Sequence, residues 1–426
     1  MQQQTYIESS YSSHSSSSSE NENKDVLFSP FRDANEIQLL SEQFDITKWS
    51  KHVLPQQSQV EKTPKPNKKQ VGKKSKNKVN TSSSISPQKK KSKIKRPKMK
   101  DIKPLNLESE KNLFFTMKAA YNPQFEYVEV KELGPEQPHR KYEEIALKII
   151  DQCIKEFGSD LKYAEQEGGK LLSIEETEHF FNDYIHKLGV QELISYEFQD
   201  HTVAPTSVVH HPTDGKSKVI IGLPINYRIN RIEGVLNHEI GTHFIRKIND
   251  RQQQWYKKRV KYHMEPYLKH EEGLAVLNQL LPQALKQKGK PYLFMAALHY
   301  ISVYLYIQMS FAKLFHELRY FIQDDEARFR ECLRVKRGMK DTSQPGGMYK
   351  DQVYLTGAIK ILKYRGKLNF IHLHSGKITI KDCIRFGEIG QIYTKNIYIP
   401  PFLQELEQYK KGLDKIAQQN FINFAC

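Results

Sequence analysis

Asn237-His238-Glu239-Ile240-Gly241-Thr242-His243 sets two imidazoles and a carboxylate within six residues, inside a run that reads as helix. Imidazole suits zinc, and a glutamate beside the first histidine suits a general base acting on water. The familiar zinc-protease helix carries its histidines at i and i+4, on one face. Here they stand at i and i+5, which on a regular helix places them roughly 140° apart, too far round to share an ion. One inserted residue taken up as a π-bulge would bring both rings onto one face. Gly241 stands where that distortion is easiest, since it has no side chain to crowd a widened turn. Taken alone, the spacing also fits two ordinary helix histidines, one in the core and one at the surface.

The context favours the metal. Lys269-His270-Glu271-Glu272-Gly273-Leu274-Ala275 opens a second amphipathic helix with Leu274, Leu277, Leu280 and Leu281. A glutamate from such a downstream helix would be a third protein ligand and leave one coordination position open. HEIGTH at 238–243, EEGLA at 271–275 and KRGxxDTSxPGxxxKDQVYLxG at Lys336 to Gly357 together resemble the microtubule-associated tyrosine carboxypeptidases. The resemblance spans most of residues 110–420. It implies a zinc enzyme that removes the C-terminal tyrosine of α-tubulin, with a gluzincin-like catalytic region. It assigns His238, His243 and Glu272 as ligands of one Zn²⁺ and Glu239 as the catalytic base. It places the protein on cytoplasmic microtubules.

Length allows one large domain or two of ordinary size. Cys153, Cys332, Cys383 and Cys426 are far apart and show no paired spacing, which argues for a reducing, cytosolic setting. The Gln- and Ser-rich N-terminus does not read as a secretory signal. Leu293 to Phe311, the longest apolar stretch, contains His299 and Gln308 and reads as a buried helix, not a membrane span. The net charge of +17 is concentrated: Lys62 to Lys103 holds 17 Lys and Arg against one acid, Asp101, so this segment alone carries +16. Residues 104–426 are therefore expected to form the catalytic region, mainly helical α+β with a small β element, after a disordered tail at 1–103.

Within that tail, Val26 to Val53 is apolar enough to dock on the body or to fold on a partner. The arm at 62–103 has three readings: a solvated linker, a nucleic-acid or nuclear-address patch, or a polyelectrolyte arm for an acidic protein surface such as a microtubule. It contains no aromatic residue on which bases could stack, which argues against nucleic acid.

Along the body, Tyr142 to Phe157 follows a helical period ended by Gly158, and Ser173-Ile174-Glu175-Glu176 matches a capping box. Ser207–His211 and Lys218–Leu223 read as strands joined by Pro-Thr-Asp-Gly. The second strand fits equally a cleft-lining strand that pairs with substrate and an ordinary buried one. Adjacent His210 and His211 would face opposite sides of a strand, so they are not expected as ligands. The metal helix is expected over about 230–248, a core helix after Pro291 reaching Phe311, another over Phe321–Val335, and a last one after Pro400-Pro401.

A carboxypeptidase must bind a free terminal carboxylate, which a guanidinium matches bidentately. Arg337 and Lys336 are the candidates, with Arg334 and Lys350 behind them, and Tyr354 is a candidate donor to the oxyanion. Three functional classes follow. One is a tubulin tyrosine carboxypeptidase, the favoured reading. The others are a zinc peptidase acting on another protein tail, and an inactive microtubule- or nucleic-acid-binding protein.

Overall fold

The computed structural model describes residues 102–128, 138–200, 204–211, 215–306 and 308–422, together with Ile46, Lys48 and Thr202. The expectations for 1–25, for most of 26–53 and for the basic arm from 62 to 101 lie outside the described residues, as does Cys426. Ile46 is helical and buried among the residues of the larger core.

In chain order the elements are α1 (Leu107–Thr116), α2 (Glu143–Phe157), α3 (Asp160–Gly168), α4 (Ile174–Leu188), β1 (Ile194–Gln199), β2 (Thr206–His210), β3 (Ser217–Gly222), α5 (Ile232–His238), a π-turn (Glu239–Phe244) and α6 (Ile245–Asp250). Then come α7 (Leu268–Leu285), α8 (Phe294–Tyr306), α9 (Phe311–Leu318), α10 (Asp325–Lys336), α11 (Gln352–Tyr364), α12 (Phe370–His374), α13 (Ile380–Glu388) and α14 (Leu406–Gln419). The protein is thus mainly helical with a three-stranded sheet, as expected.

Local signals account for many of these boundaries. Gly158 ends α2 at φ +85°, a conformation that side chains resist. Ser173 accepts from the Glu176 amide while the Glu176 side chain accepts from the Ser173 amide, so the capping box opens α4. Two expected helices have different limits. The apolar run after Pro291 breaks at Tyr306, and Phe311 begins a separate helix whose Ser310 hydroxyl accepts from the Lys313 amide. The helix expected from Phe321 starts at Asp325, because the Asp324 carboxylate caps the Ala327 amide at 2.6 Å.

The hairpin of β2 and β3 forms as expected, but β3 is the central strand. β1, an element not anticipated, pairs parallel to it on the other side. Both edges of β3 are therefore occupied, and it is the buried strand of the two readings, with Val219 and Ile221 fully enclosed.

Two apolar cores flank the metal motif. The smaller lies under the sheet and takes Leu236, Ile240, Phe244 and Ile245 from the motif helix. The larger is helical and takes Leu274, Leu277, Leu280 and Leu281 from α7. The polar residues of the two helices consequently meet at the seam between the cores. α7 runs against α11 with no room to spare: a Cβ at Gly357 would enter the Lys269 carbonyl, and one at Gly273 would enter the Gly357 backbone. These glycines set how closely the two helices approach, and so where α7 delivers its side chains.

Candidate metal centre

The helix carrying the motif is α-helical to His238, π-helical over Glu239–Phe244, and α-helical again from Ile245. The widened turn returns the two histidines to one face, with ring centroids 4.9 Å apart. The expected distortion is present, with Gly241 inside it. A Cβ there would lie 2.5 Å from the Tyr184 hydroxyl and 2.7 Å from a Phe402 ring carbon. Neighbours packed onto the turn exclude a side chain there.

α7 brings Glu272 to the pair. One donor atom from each of His238, His243 and Glu272 lies within 4.8 Å of the others, and His243 Nε2 is 3.6 Å from Glu272 Oε2. Both rings are oriented from behind. His238 Nδ1 lies 2.8 Å from Gln279 Oε1, and His243 Nδ1 lies 2.8 Å from Glu271 Oε1. Each Nδ1–H donates to an oxygen, which leaves each Nε2 lone pair for a metal. Glu271 is itself held by Arg246 and Lys377. Two imidazole nitrogens, one carboxylate oxygen and an open side form a donor set that fits zinc.

Burial opposes a charge on His243, but hydrogen bonds to Glu271 and Glu272 overcome it and raise the ring to about 9. Burial also pushes Glu272 up, and His243 more than reverses that, to about 2. Burial and the neighbouring His243 lower His238 to about 4. Without a metal, His243 and Glu272 thus form an ion pair, and a metal ion bound there would take the place of the second proton on the ring. Glu239 stands beside this group, its Oε1 3.9 Å from His238 Nε2. Burial raises its carboxyl, His243 pulls against the rise and Glu272 adds to it, leaving it at about 7. That lies near the operating range of a general base.

The basic candidates separate. Lys336 is fully enclosed, its ammonium donating to the Met309 and Gln344 carbonyls at 2.6 and 2.7 Å. Arg337 is 7% exposed at its side chain and reaches Asp351 at 3.4 Å. Arg334 also pairs with Asp351, at 2.7 Å, yet keeps 29% of its side chain exposed. Lys350 is 35% exposed and lies 3.7 Å from Glu272 Oε1. Tyr354 lies under Arg334, 5.4 Å from ring centroid to guanidinium. Burial and the Glu272 carboxylate push its hydroxyl far up, so it stays a proton donor. His210 stands apart from the donor set and meets Ser217 across the hairpin at 2.8 Å.

The sequence profile of the microtubule-associated tyrosine carboxypeptidases matches residues 57–420. The chain belongs to that family. It is 35% identical over 332 residues to a mouse protein named putative tyrosine carboxypeptidase MATCAP2, covering 75% of this chain and 61% of that one. It is 33% identical over 335 residues to mouse microtubule-associated tyrosine carboxypeptidase 1, covering 76% and 69%, and 32% identical over 334 residues to the human protein of that name, covering 76% and 68%. The chain thus spans about three fifths to two thirds of these relatives.

In this member of the carboxypeptidase family, side chains that spacing did not single out also pack around the motif histidines and Glu272. Gln279 stands seven residues after Glu272, two turns along the same face of α7, so that partner had a readable signal. Glu271 was visible only as the neighbour of a ligand. Arg246 stands three residues after His243 on the same continuous helix, a spacing that was visible, whereas Lys377 comes from a distant part of the chain and had no sequence signal. Among the described residues, no helix is long and apolar enough to cross a membrane.

Proposed function

We propose that this carboxypeptidase-family chain is a zinc enzyme that removes the C-terminal tyrosine of α-tubulin on cytoplasmic microtubules, through a gluzincin-like catalytic region. The observation that carries this reading is Glu239 beside the His238, His243 and Glu272 donors. A purely structural metal site has no use for a base at that position. Zinc held there by those three residues would polarise the scissile carbonyl and acidify water.

Glu239 takes a proton from the attacking water and passes it to the leaving amine. Tyr354 donates its hydroxyl to the oxyanion that develops at the carbonyl. Among the cations, Lys350 and Arg334 are better placed than Lys336 and Arg337 to meet the terminal carboxylate. They keep exposed surface, while the other two are turned inward. The +16 segment at 62–103 supplies long-range attraction to the glutamate-rich microtubule surface.

Incubating the purified chain with polymerised tubulin, and reading the terminal residue of α-tubulin by mass spectrometry, tests this directly. Loss of the tyrosine that depends on Glu239 supports the assignment. Unchanged tubulin, with peptides ending in other residues cleaved instead, would redirect it to another protein tail. Removing residues 62–100 should weaken microtubule binding most at low salt. The deletion should spare Ile102, which is buried.

A further inference from the structure

A π-turn is a minority conformation, and this one has to be held. Thr242, fully buried, donates its hydroxyl to the Asn237 carbonyl five residues back, at 2.7 Å. Thr242 Oγ1 in turn accepts from Asn278 Nδ2 of α7 at 2.8 Å. Asn278 is fully buried as well, and its Oδ1 accepts from the Tyr409 hydroxyl of α14 at 2.8 Å. Its Nδ2 also lies 3.2 Å from His374 Nε2. His374 Nδ1 lies 2.9 Å from the Phe370 carbonyl, so Nδ1 carries the ring proton and Nε2 accepts. The Asn278 amide has one consistent orientation: reversed, its oxygen would face two acceptors, the Thr242 oxygen whose proton is already given to Asn237 and the His374 Nε2 lone pair, and its NH₂ would face the Tyr409 hydroxyl. Asn237 closes the circuit, accepting from the Tyr184 hydroxyl at 2.8 Å and donating to the Asn278 carbonyl at 3.4 Å.

Helices α4, α7, α12 and α14 therefore all tie into the one step where the turn widens, through groups that have partners and take no part in the donor set. A buried polar network of this kind stabilises one arrangement only when every member is satisfied. We propose that Thr242 and Asn278 are positioning residues that hold the π-turn, and with it the His238–His243 pair, in metal-binding register. Without the Thr242 hydroxyl bridge, the stretch relaxes toward a regular helix and His243 swings away from His238. The inference rests on the metal-site reading and is independent of the substrate.

Thr242→Val and Thr242→Ser separate this role from packing. Valine keeps the shape and removes the hydroxyl; serine keeps the hydroxyl and removes a methyl. The purified chain is titrated with zinc against a chelator, its cobalt-loaded absorption spectrum is recorded, and the melting temperature is read without metal. Register control predicts that Thr242→Val loses about tenfold or more in zinc affinity and changes the cobalt spectrum, while Thr242→Ser stays within about threefold of the parent. Parent-like affinity in Thr242→Val, or weaker binding in Thr242→Ser than in Thr242→Val, overturns the proposal. If Thr242→Val fails to fold, Asn278→Leu removes the amide at similar volume. A folded Asn278→Leu with about tenfold weaker zinc binding supports the clamp, and one with lowered melting temperature but unchanged affinity overturns it.

Discussion

His243 Nδ1 lies 2.8 Å from Glu271 Oε1, while the next residue in the chain, Glu272, faces the other nitrogen of the same ring. Two adjacent glutamates of one helix thus grip one imidazole from both sides, one as a candidate ligand and one as its support. Glu271 is also the counter-charge of Arg246, which is fully buried, and of Lys377. Replacing it with glutamine leaves two enclosed cations facing a neutral amide. Breaking a buried ion pair from one side costs about 3–5 kcal/mol. Glu271→Gln should lose stability of that order in chemical denaturation and bind zinc about 10- to 100-fold more weakly. A variant within about 1 kcal/mol of the parent would show that Arg246 and Lys377 find other partners.

Glu239 is near the donor atoms but is not one of the three that converge. Its removal should therefore dissociate chemistry from metal binding. Glu239→Gln is expected to keep zinc stoichiometry, measured by elemental analysis, and to lose at least about 100-fold in kcat. Equal cleavage by variant and parent would assign the base elsewhere.

Lys350 and Arg334 differ from Lys336 in what they face, and kinetics can read the difference. Lys350→Ala and Arg334→Ala should each raise KM about tenfold or more for peptides with a free terminal carboxylate. Amidated peptides, used as competitive inhibitors, should bind parent and variants alike. Lys336→Met should lower the melting temperature or leave it unchanged without that selective rise in KM, because its ammonium is already spent on two carbonyls. A carboxylate-selective KM defect in Lys336→Met would return the receptor role to the inward-facing lysine.

How much of this was legible in the sequence varies with how local the cause is. The i, i+5 histidines together with Gly241 were enough to anticipate the π-turn, since the geometry of one helix decides it. The capping box at Ser173 and the stop at Gly158 were equally local. The central position of β3 was not, because it depends on β1, whose alternating Ile-Ser-Tyr-Glu-Phe-Gln carries a strand signal but no indication of its partner. The inward turn of Lys336 depends on carbonyls at 309 and 344, and the support of His243 on Lys377, more than 100 residues away. Spacing identifies side chains that share a helix face. It is silent on which distant carbonyl or ammonium a buried side chain will meet.

Asp351 gives the protein a measurable acid response away from the metal donors. Its carboxylate is fully buried and receives Arg334 at 2.7 Å and Arg337 at 3.4 Å. Burial alone would raise it, but the two guanidinium groups outweigh burial and hold it at about 2, below its ordinary 3.8. Because the folded value lies below the unfolded one, the stabilisation is fully present above about pH 4 and is lost as pH falls toward 2. The difference corresponds to about 2 kcal/mol. Asp351→Asn should be less stable than the parent at neutral pH, since Arg334 and Arg337 then lack their shared counter-charge. Its deficit should shrink by about 2 kcal/mol between pH 4 and pH 2, as the parent loses what the variant never had. Urea denaturation of both proteins across that range makes the comparison, and a deficit that stays constant with pH would mean that Asp351 remains ionised throughout or contributes by shape instead of charge.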